Sequence, residues 1–120
     1  MKIAVSANGK NLDAPLDTRF GRTAYFVIVD PDTLAFEAVE NRQSLNLPQG
    51  AGIQAAKTVL QYEAGAVITG NCGPKAFKVL EAAGVKVYVG AAGPVRDIVD
   101  QFKKGELSES HGPNVEGHWV

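Results

Sequence analysis

One pattern occurs twice in the second half of the chain. Val67-Ile68-Thr69-Gly70-Asn71-Cys72-Gly73-Pro74 and Val87-Tyr88-Val89-Gly90-Ala91-Ala92-Gly93-Pro94 share V-x-x-G-x-x-G-P, twenty residues apart. Each copy reads as a short strand, a glycine turn and a helix opened by proline at its first position, where a missing N–H costs nothing. Phe77, Leu80 and Ala83 mark the buried face of the first helix, ended by Gly84. Val95, Ile98, Val99 and Phe102 mark the second, ended by Gly105. Two strand–turn–helix units in succession require strands that run parallel, with helices crossing between them. That confines the chain to the α/β class.

The first half has a different rhythm. Lys2–Ser6 is a short β-type run, followed by the turn formers Ala7–Asn11, and residues 7–23 keep neither period. An irregular stretch of that length in a small domain is commonly functional. Ala24–Val29 is a second apolar run, closed by Asp30-Pro31-Asp32. Thr33–Glu40 alternates Leu34, Phe36 and Ala38 with more polar neighbours, so residues 24–40 form a β-hairpin. Gln43–Gly52 is irregular, with Pro48 and Gly50. From Ala51 to Glu63, Ile53, Ala56, Val59 and Leu60 recur at helical spacing, and Gly65 ends that helix.

The expected order is β-β-β-α-β-α-β-α. It describes a mixed five-stranded sheet with helices on its faces, an α/β sandwich of ribonuclease-H-like type. The domain proper spans residues 1–107. Residues 108–120 are expected to form a flexible tail, with Trp119 able to dock.

Composition limits the function classes. The chain has 120 residues, with 12 Lys+Arg against 13 Asp+Glu and a formal net charge of −1. A general nucleic-acid binder would show a basic excess. No apolar run approaches the roughly 18 residues of a membrane span, and the N-terminal run is too short for a signal peptide. The single cysteine, Cys72, excludes an intrachain disulfide and an all-cysteine metal cage. A reducing cytoplasm is the expected compartment.

If the last two strands flank the first, three turns reach one rim of the sheet at the carboxyl ends of the parallel strands: Ala7–Asn11, Gly70–Lys75 and Gly90–Pro94. The antiparallel second strand brings its entry, Thr18-Arg19-Phe20-Gly21-Arg22-Thr23, to the same rim. Gly70, Asn71, Cys72, Gly73 and Lys75 then surround a helix N-terminus. Its N–H groups and dipole favour an anion. A cysteine there would be favoured as thiolate and would suit a soft metal. The same turn is equally satisfied by a Cys72 that is a small buried filler.

Gly90, Ala91, Ala92 and Gly93 offer a second helix start of the same kind, or a plain strand-to-helix turn. Arg19 and Arg22, bracketing Phe20 and Gly21, could clamp the anion or be solvated loop charges. His111 and His118 could fold over a metal, but their spacing matches no standard site, and solvated tail residues are the simpler reading.

Several chemistries lack their residues. A two-metal nuclease needs carboxylates on the first strand, which reads Lys2-Ile3-Ala4-Val5-Ser6. There is no G-x-G-x-x-G with a ribose-binding acid, no P-loop lysine motif and no G-x-S-x-G elbow. Neither histidine lies in a recognisable signature with serine or cysteine. The sequence gives no indication of an enzyme.

Read together, Met1–Ser6, Asp17-Thr18-Arg19-Phe20-Gly21-Arg22-Thr23-Ala24-Tyr25-Phe26, Gly50-Ala51-Gly52-Ile53, Gly70-Asn71-Cys72-Gly73-Pro74-Lys75-Ala76 and Ala83–Tyr88 resemble the dinitrogenase iron–molybdenum cofactor biosynthesis family. That family comprises NifX-like proteins and the C-terminal part of NifB. The resemblance covers roughly residues 1–107. It implies a small ribonuclease-H-like carrier of a molybdenum-containing metal–sulfur cluster. The chain's build is most similar to the small orange-protein branch of sulfate reducers, associated with a molybdenum–copper sulfide cluster. Iron–molybdenum cofactor or a precursor is the alternative cargo, and a protein donor or acceptor of the cluster is the implied partner.

Such a cluster is anionic and could be held by charge and by hydrogen bonds to sulfide, with few protein–metal bonds. Histidine ligands are often discussed for the family, yet the body of this domain has none. Cys72 is left there as the one soft ligand. The competing reading is a regulatory or scaffold module whose rim recognises a protein or a small anion.

Overall fold

The computed structural model describes residues 1–41 and 50–113. Strands β1 (Lys2–Ala7), β2 (Tyr25–Val29) and β3 (Phe36–Glu40) come first. Helix α1 (Ala51–Gln61), β4 (Ala64–Ile68), α2 (Pro74–Ala82), β5 (Lys86–Tyr88), α3 (Val95–Lys103) and β6 (Glu109–Ser110) follow. The described strands form one sheet in the order β3-β2-β1-β4-β5-β6. β1 pairs antiparallel with β2 and parallel with β4, β2 pairs antiparallel with β3, and β4 pairs parallel with β5.

The sheet therefore has a sixth strand where five were expected. Val87 pairs with Ser110 and Tyr88 with Glu109, antiparallel. Part of the segment expected to be a flexible tail thus closes the edge left open by β5. Two residues carry no readable alternation, which is why the pattern gave no sign of it. His118 and Trp119 lie outside the described residues.

Two further details differ from expectation. Gly65 lies inside β4 and does not end α1. The helix stops at Tyr62, and Glu63, at φ 61°, turns the chain directly into the strand. Pro94 is the residue before α3, with extended backbone, whereas Pro74 does occupy the first position of α2. Both of these helices end as the glycines required. At Gly84 and Gly105, with φ of 77° and 71°, the chain leaves the helix in the left-handed region. Val85 N–H then reaches back to Leu80 C=O, and Glu106 N–H to Gln101 C=O.

The sheet buries a core on each face. On one side Ala55, Ala56 and Val59 of α1 and Ala76, Phe77 and Leu80 of α2 pack over Ala4, Phe26, Ile28 and Val67. On the other, Val95, Ile98 and Val99 of α3 and Leu12, Ala14 and Leu16 of the first loop cover Ile3, Val5, Val27, Val29 and Ile68. The alternation of Ile3, Val5 and Ala7 against Ala4 and Ser6 along β1 sorts each side chain to its face. Among the described residues no buried side-chain nitrogen or oxygen lacks a hydrogen-bond partner, and no helix is long and apolar enough to cross a membrane.

Candidate anion dock at the carboxyl rim

At the carboxyl ends of β1 and β4 the side chains turn polar. Ser6 and Thr69, both fully buried, are 2.7 Å apart through their hydroxyls, and Ser6 Oγ lies 2.6 Å from the carbonyl of Asp17. Asp17 N–H in turn donates to Ser6 C=O at 2.9 Å. The long first loop is thereby fastened across the strand ends. Beyond Asp17 it runs beside the β4–α2 turn: Arg19 forms a parallel bridge with Asn71, Phe20 N–H donates to Asn71 C=O at 3.2 Å, and Asn71 Nδ2 donates to Thr18 C=O at 3.1 Å. Gly70 is where the two segments come closest. A Cβ there would lie 2.7 Å from Thr18 Cα and 2.9 Å from Thr18 O.

The next turn of the loop reaches α1. A Cβ on Gly21 would lie 3.0 Å from both N and Cα of Gly52, and one on Gly52 would lie 3.1 Å from Ala76 Cβ. Gly21, the first turn of α1 and the first turn of α2 are therefore stacked side by side. The N-cap residues of both helices, Gly50 and Gly73, are glycines that bring no side chain over the helix start. Two adjacent helix starts point the positive ends of their dipoles the same way, beside a loop carrying two guanidinium groups. The contribution of α1 was missed from the sequence, although Gly50-Ala51-Gly52 ahead of an amphipathic helix is a signal for close backbone approach.

Of the residues expected at the rim, Arg19, Gly21, Gly70, Asn71, Cys72, Gly73 and Lys75 are brought together. Arg19 keeps a side chain 56% exposed, its Nε 3.8 Å from the Asp17 carboxylate, whose Oδ1 also accepts from Arg19 N–H. Arg22 is half-buried and Lys75 exposed. Phe20 belongs elsewhere. Its ring is fully buried against Phe26, centroids 5.2 Å apart, and pins the loop to the core, so only its backbone N–H meets the rim.

The second glycine turn meets the dock only through Gly90, whose N–H donates to Gly70 C=O at 3.0 Å. Leu16 N–H donates to Gly93 C=O, and the first N–H groups of α3 are already taken. Val95 donates to Ala14 C=O at 2.9 Å and Arg96 to Leu12 C=O at 2.7 Å. Ala91 is buried in the second core. The reason is topological. α2 crosses over one face between two parallel strands, whereas α3 returns on the opposite face to the antiparallel β6. Identical turns thus deliver their helices to opposite sides, and the α3 start is closed to an anion, while Gly90 stays beside Gly70 at the rim.

Cys72 is also corrected. Its side chain is fully buried in the first core, and burial pushes the thiol up from 9.0 to about 12. Desolvation disfavours the thiolate, so without a metal the group is a neutral thiol at pH 7. Below pH 9 both folded and unfolded chains keep the proton. Between pH 9 and 12 the unfolded chain loses it while the folded one does not, so this group's contribution to stability falls as pH rises. Urea unfolding is expected to show that decline between pH 9 and 12 in the parent and to lack this component in Cys72→Ala. A thiol reagent at pH 7 should label the native parent only at the rate of opening.

His111 lies at the wrong end. The β5–β6 register sets it beside Lys86, at the amino end of β5, while the rim lies at the carboxyl ends. Among the described residues there is no group of three or more His, Cys, Asp or Glu able to hold a metal.

The family model for dinitrogenase iron–molybdenum cofactor proteins matches residues 1–105. The chain belongs to this family. The apo form of the orange protein from Desulfovibrio gigas is 46% identical and superimposes with a TM-score of 0.92, covering 95% of this chain and 96% of that one. A NifB-like protein of Thermotoga is 34% identical over 97% of this chain and 98% of its own, with a TM-score of 0.82. An uncharacterized protein of Methanocaldococcus jannaschii is 29% identical over 112 residues, 91% of each chain. These likenesses make this a cofactor-associated protein of small size.

Proposed function

We propose that this chain is a non-enzymatic carrier of an anionic, molybdenum-containing metal–sulfur cluster, on a sheet we read as ribonuclease-H-like with β6 appended. The favoured cargo is a molybdenum–copper sulfide cluster, as the likeness to the orange protein suggests, with iron–molybdenum cofactor or a precursor as the alternative. The carrier works in the cytoplasm and exchanges its cargo with a protein donor or acceptor. One observation carries this reading: the starts of α1 and α2, preceded by Gly50 and Gly73, lie side by side under the Arg19–Arg22 loop. That site suits a sulfide-rich polyanion, which needs donors and positive charge more than side-chain ligands.

The chain's own residues would act by position. Asp17 holds Arg19 in register, Gly21 and Gly70 let the backbone approach, and Lys75 adds charge from α2. Release would then follow from competition by an acceptor.

The test is reconstitution. Metal-free protein is mixed anaerobically with tetrathiomolybdate and copper, desalted, and examined for molybdenum content and visible absorption. Stoichiometric molybdenum in the protein peak with a charge-transfer band is the expected result. Absence of both, repeated with iron–molybdenum cofactor, would move the assignment to a scaffold that recognises a protein or a small anion.

A further inference from the structure

Asn41 follows β3 directly and is only 2% exposed. Its Nδ2 donates to two backbone carbonyls, Gly21 at 3.3 Å and Thr23 at 3.0 Å, and its own N–H donates to Ala24 C=O at 3.0 Å. The two carbonyls taken by the side chain bracket a two-residue stretch, Arg22 and Thr23. One belongs to the peptide unit that carries the Arg22 N–H, and the other to the peptide unit that follows Thr23. Only an amide, with two hydrogens on one nitrogen, can hold both at once from this position. A carboxylate donates neither, and a serine hydroxyl only one.

Arg19 is anchored differently, by Asp17 within its own loop. The two arginines are therefore fixed by independent devices, one local and one reaching in from the sheet edge 19 positions further along the chain.

We propose that Asn41 is the positioning residue for Arg22: it locks the backbone on both sides of that guanidinium, so that its charge is presented to an anion at the rim at little ordering cost. The inference rests on the carrier reading for its ligand but not for its geometry. A flexible loop arginine would lose much of its rotamer and backbone freedom on binding, and pre-organisation removes that loss.

The test is a double-mutant cycle on retention of the tetrathiomolybdate–copper cluster by the full chain. Asn41→Ala is expected to weaken retention about 10-fold in the parent, about 10-fold in Arg19→Ala, and less than about 2-fold in Arg22→Ala. Asn41→Ser, which keeps one donor, should fall between parent and Asn41→Ala, and it serves as the principal variant if Asn41→Ala does not fold. An equal loss in all three backgrounds would mean that Asn41 only supports the fold, and the proposal fails. If the parent itself retains no cluster, the carrier reading fails instead, and the geometry is judged by relaxation of the backbone amides. There the Arg22 amide should drop from a rigid order parameter to below about 0.6 in Asn41→Ser while Arg19 does not change. An unchanged Arg22 amide would overturn the proposal whatever binds.

Discussion

Replacing both Arg19 and Arg22 by alanine is expected to weaken cluster retention about 100-fold and to flatten its dependence on salt. Charge-assisted hydrogen bonds contribute about 1.5–3 kcal/mol each when desolvated, and each 1.4 kcal/mol is about tenfold in affinity. The two residues should not contribute equally. Arg19 is more than half exposed, so solvent screening discounts it. Arg22 is half-buried, with the backbone on either side of it held by Asn41. The single Arg22→Ala change should therefore account for more of the loss than Arg19→Ala. Lysine at position 22 should restore only part of it, because a point charge on a flexible stem cannot reproduce the planar fork. The measurement is molybdenum per protein after desalting at several ionic strengths. Retention unchanged in the double variant would remove the loop from the dock.

The V-x-x-G-x-x-G-P repeat made the parallel half of the sheet legible, because two strand–helix units leave few ways to pack. The hairpin was equally plain in the alternation of residues 24–40. The repeat was also misleading, since identical turns at Gly70 and Gly90 suggested identical roles. What separates them is which face each helix takes and which loop carbonyls reach it. Leu12 and Ala14 satisfy the α3 start through backbone atoms, and backbone partners leave no trace in side-chain identity.

Cys72 shows the same difficulty in another form. A cysteine at a helix start reads as activated until its burial is known, and desolvation then reverses the sign of its shift. Arg19, Arg22 and Lys75 were found because charged residues in a glycine-rich stretch are conspicuous. Asn41 was not, because an asparagine after a strand looks like any turn residue until its two carbonyl partners are seen. Gly52 matters for a neighbour that only the tertiary fold supplies.

The largest effect on the fold itself is expected from Gly70→Ala. The added methyl would lie 2.7 Å from Thr18 Cα, 2.9 Å from its Cβ and 2.9 Å from its carbonyl oxygen. Two of those three atoms are backbone, so no side-chain rotation relieves the clash. Thr18 cannot move alone either, because Asp17 is tied to Ser6, Phe20 to Asn71, and Asn71 Nδ2 to Thr18 itself. The loop would have to lift from the end of β4 and give up several of these bonds. Overpacking costs about 1–3 kcal/mol, and each lost hydrogen bond adds about 1 kcal/mol. A total of about 3–5 kcal/mol would be a large share of the roughly 5–15 kcal/mol that a domain of this kind has to lose. Gly112→Ala is the control. Its Cβ would meet nothing within 4 Å, and its φ lies outside the left-handed region, so its effect should stay within about 0.5 kcal/mol. Urea unfolding of the two variants and the parent decides the matter, and a Gly70→Ala midpoint matching that of Gly112→Ala would refute the close approach of loop and strand. Where enough folded Gly70→Ala survives, it should also retain the cluster more weakly, by about as much as Arg19→Ala does, because the displaced Thr18–Phe20 segment takes Arg19 away from the α2 start.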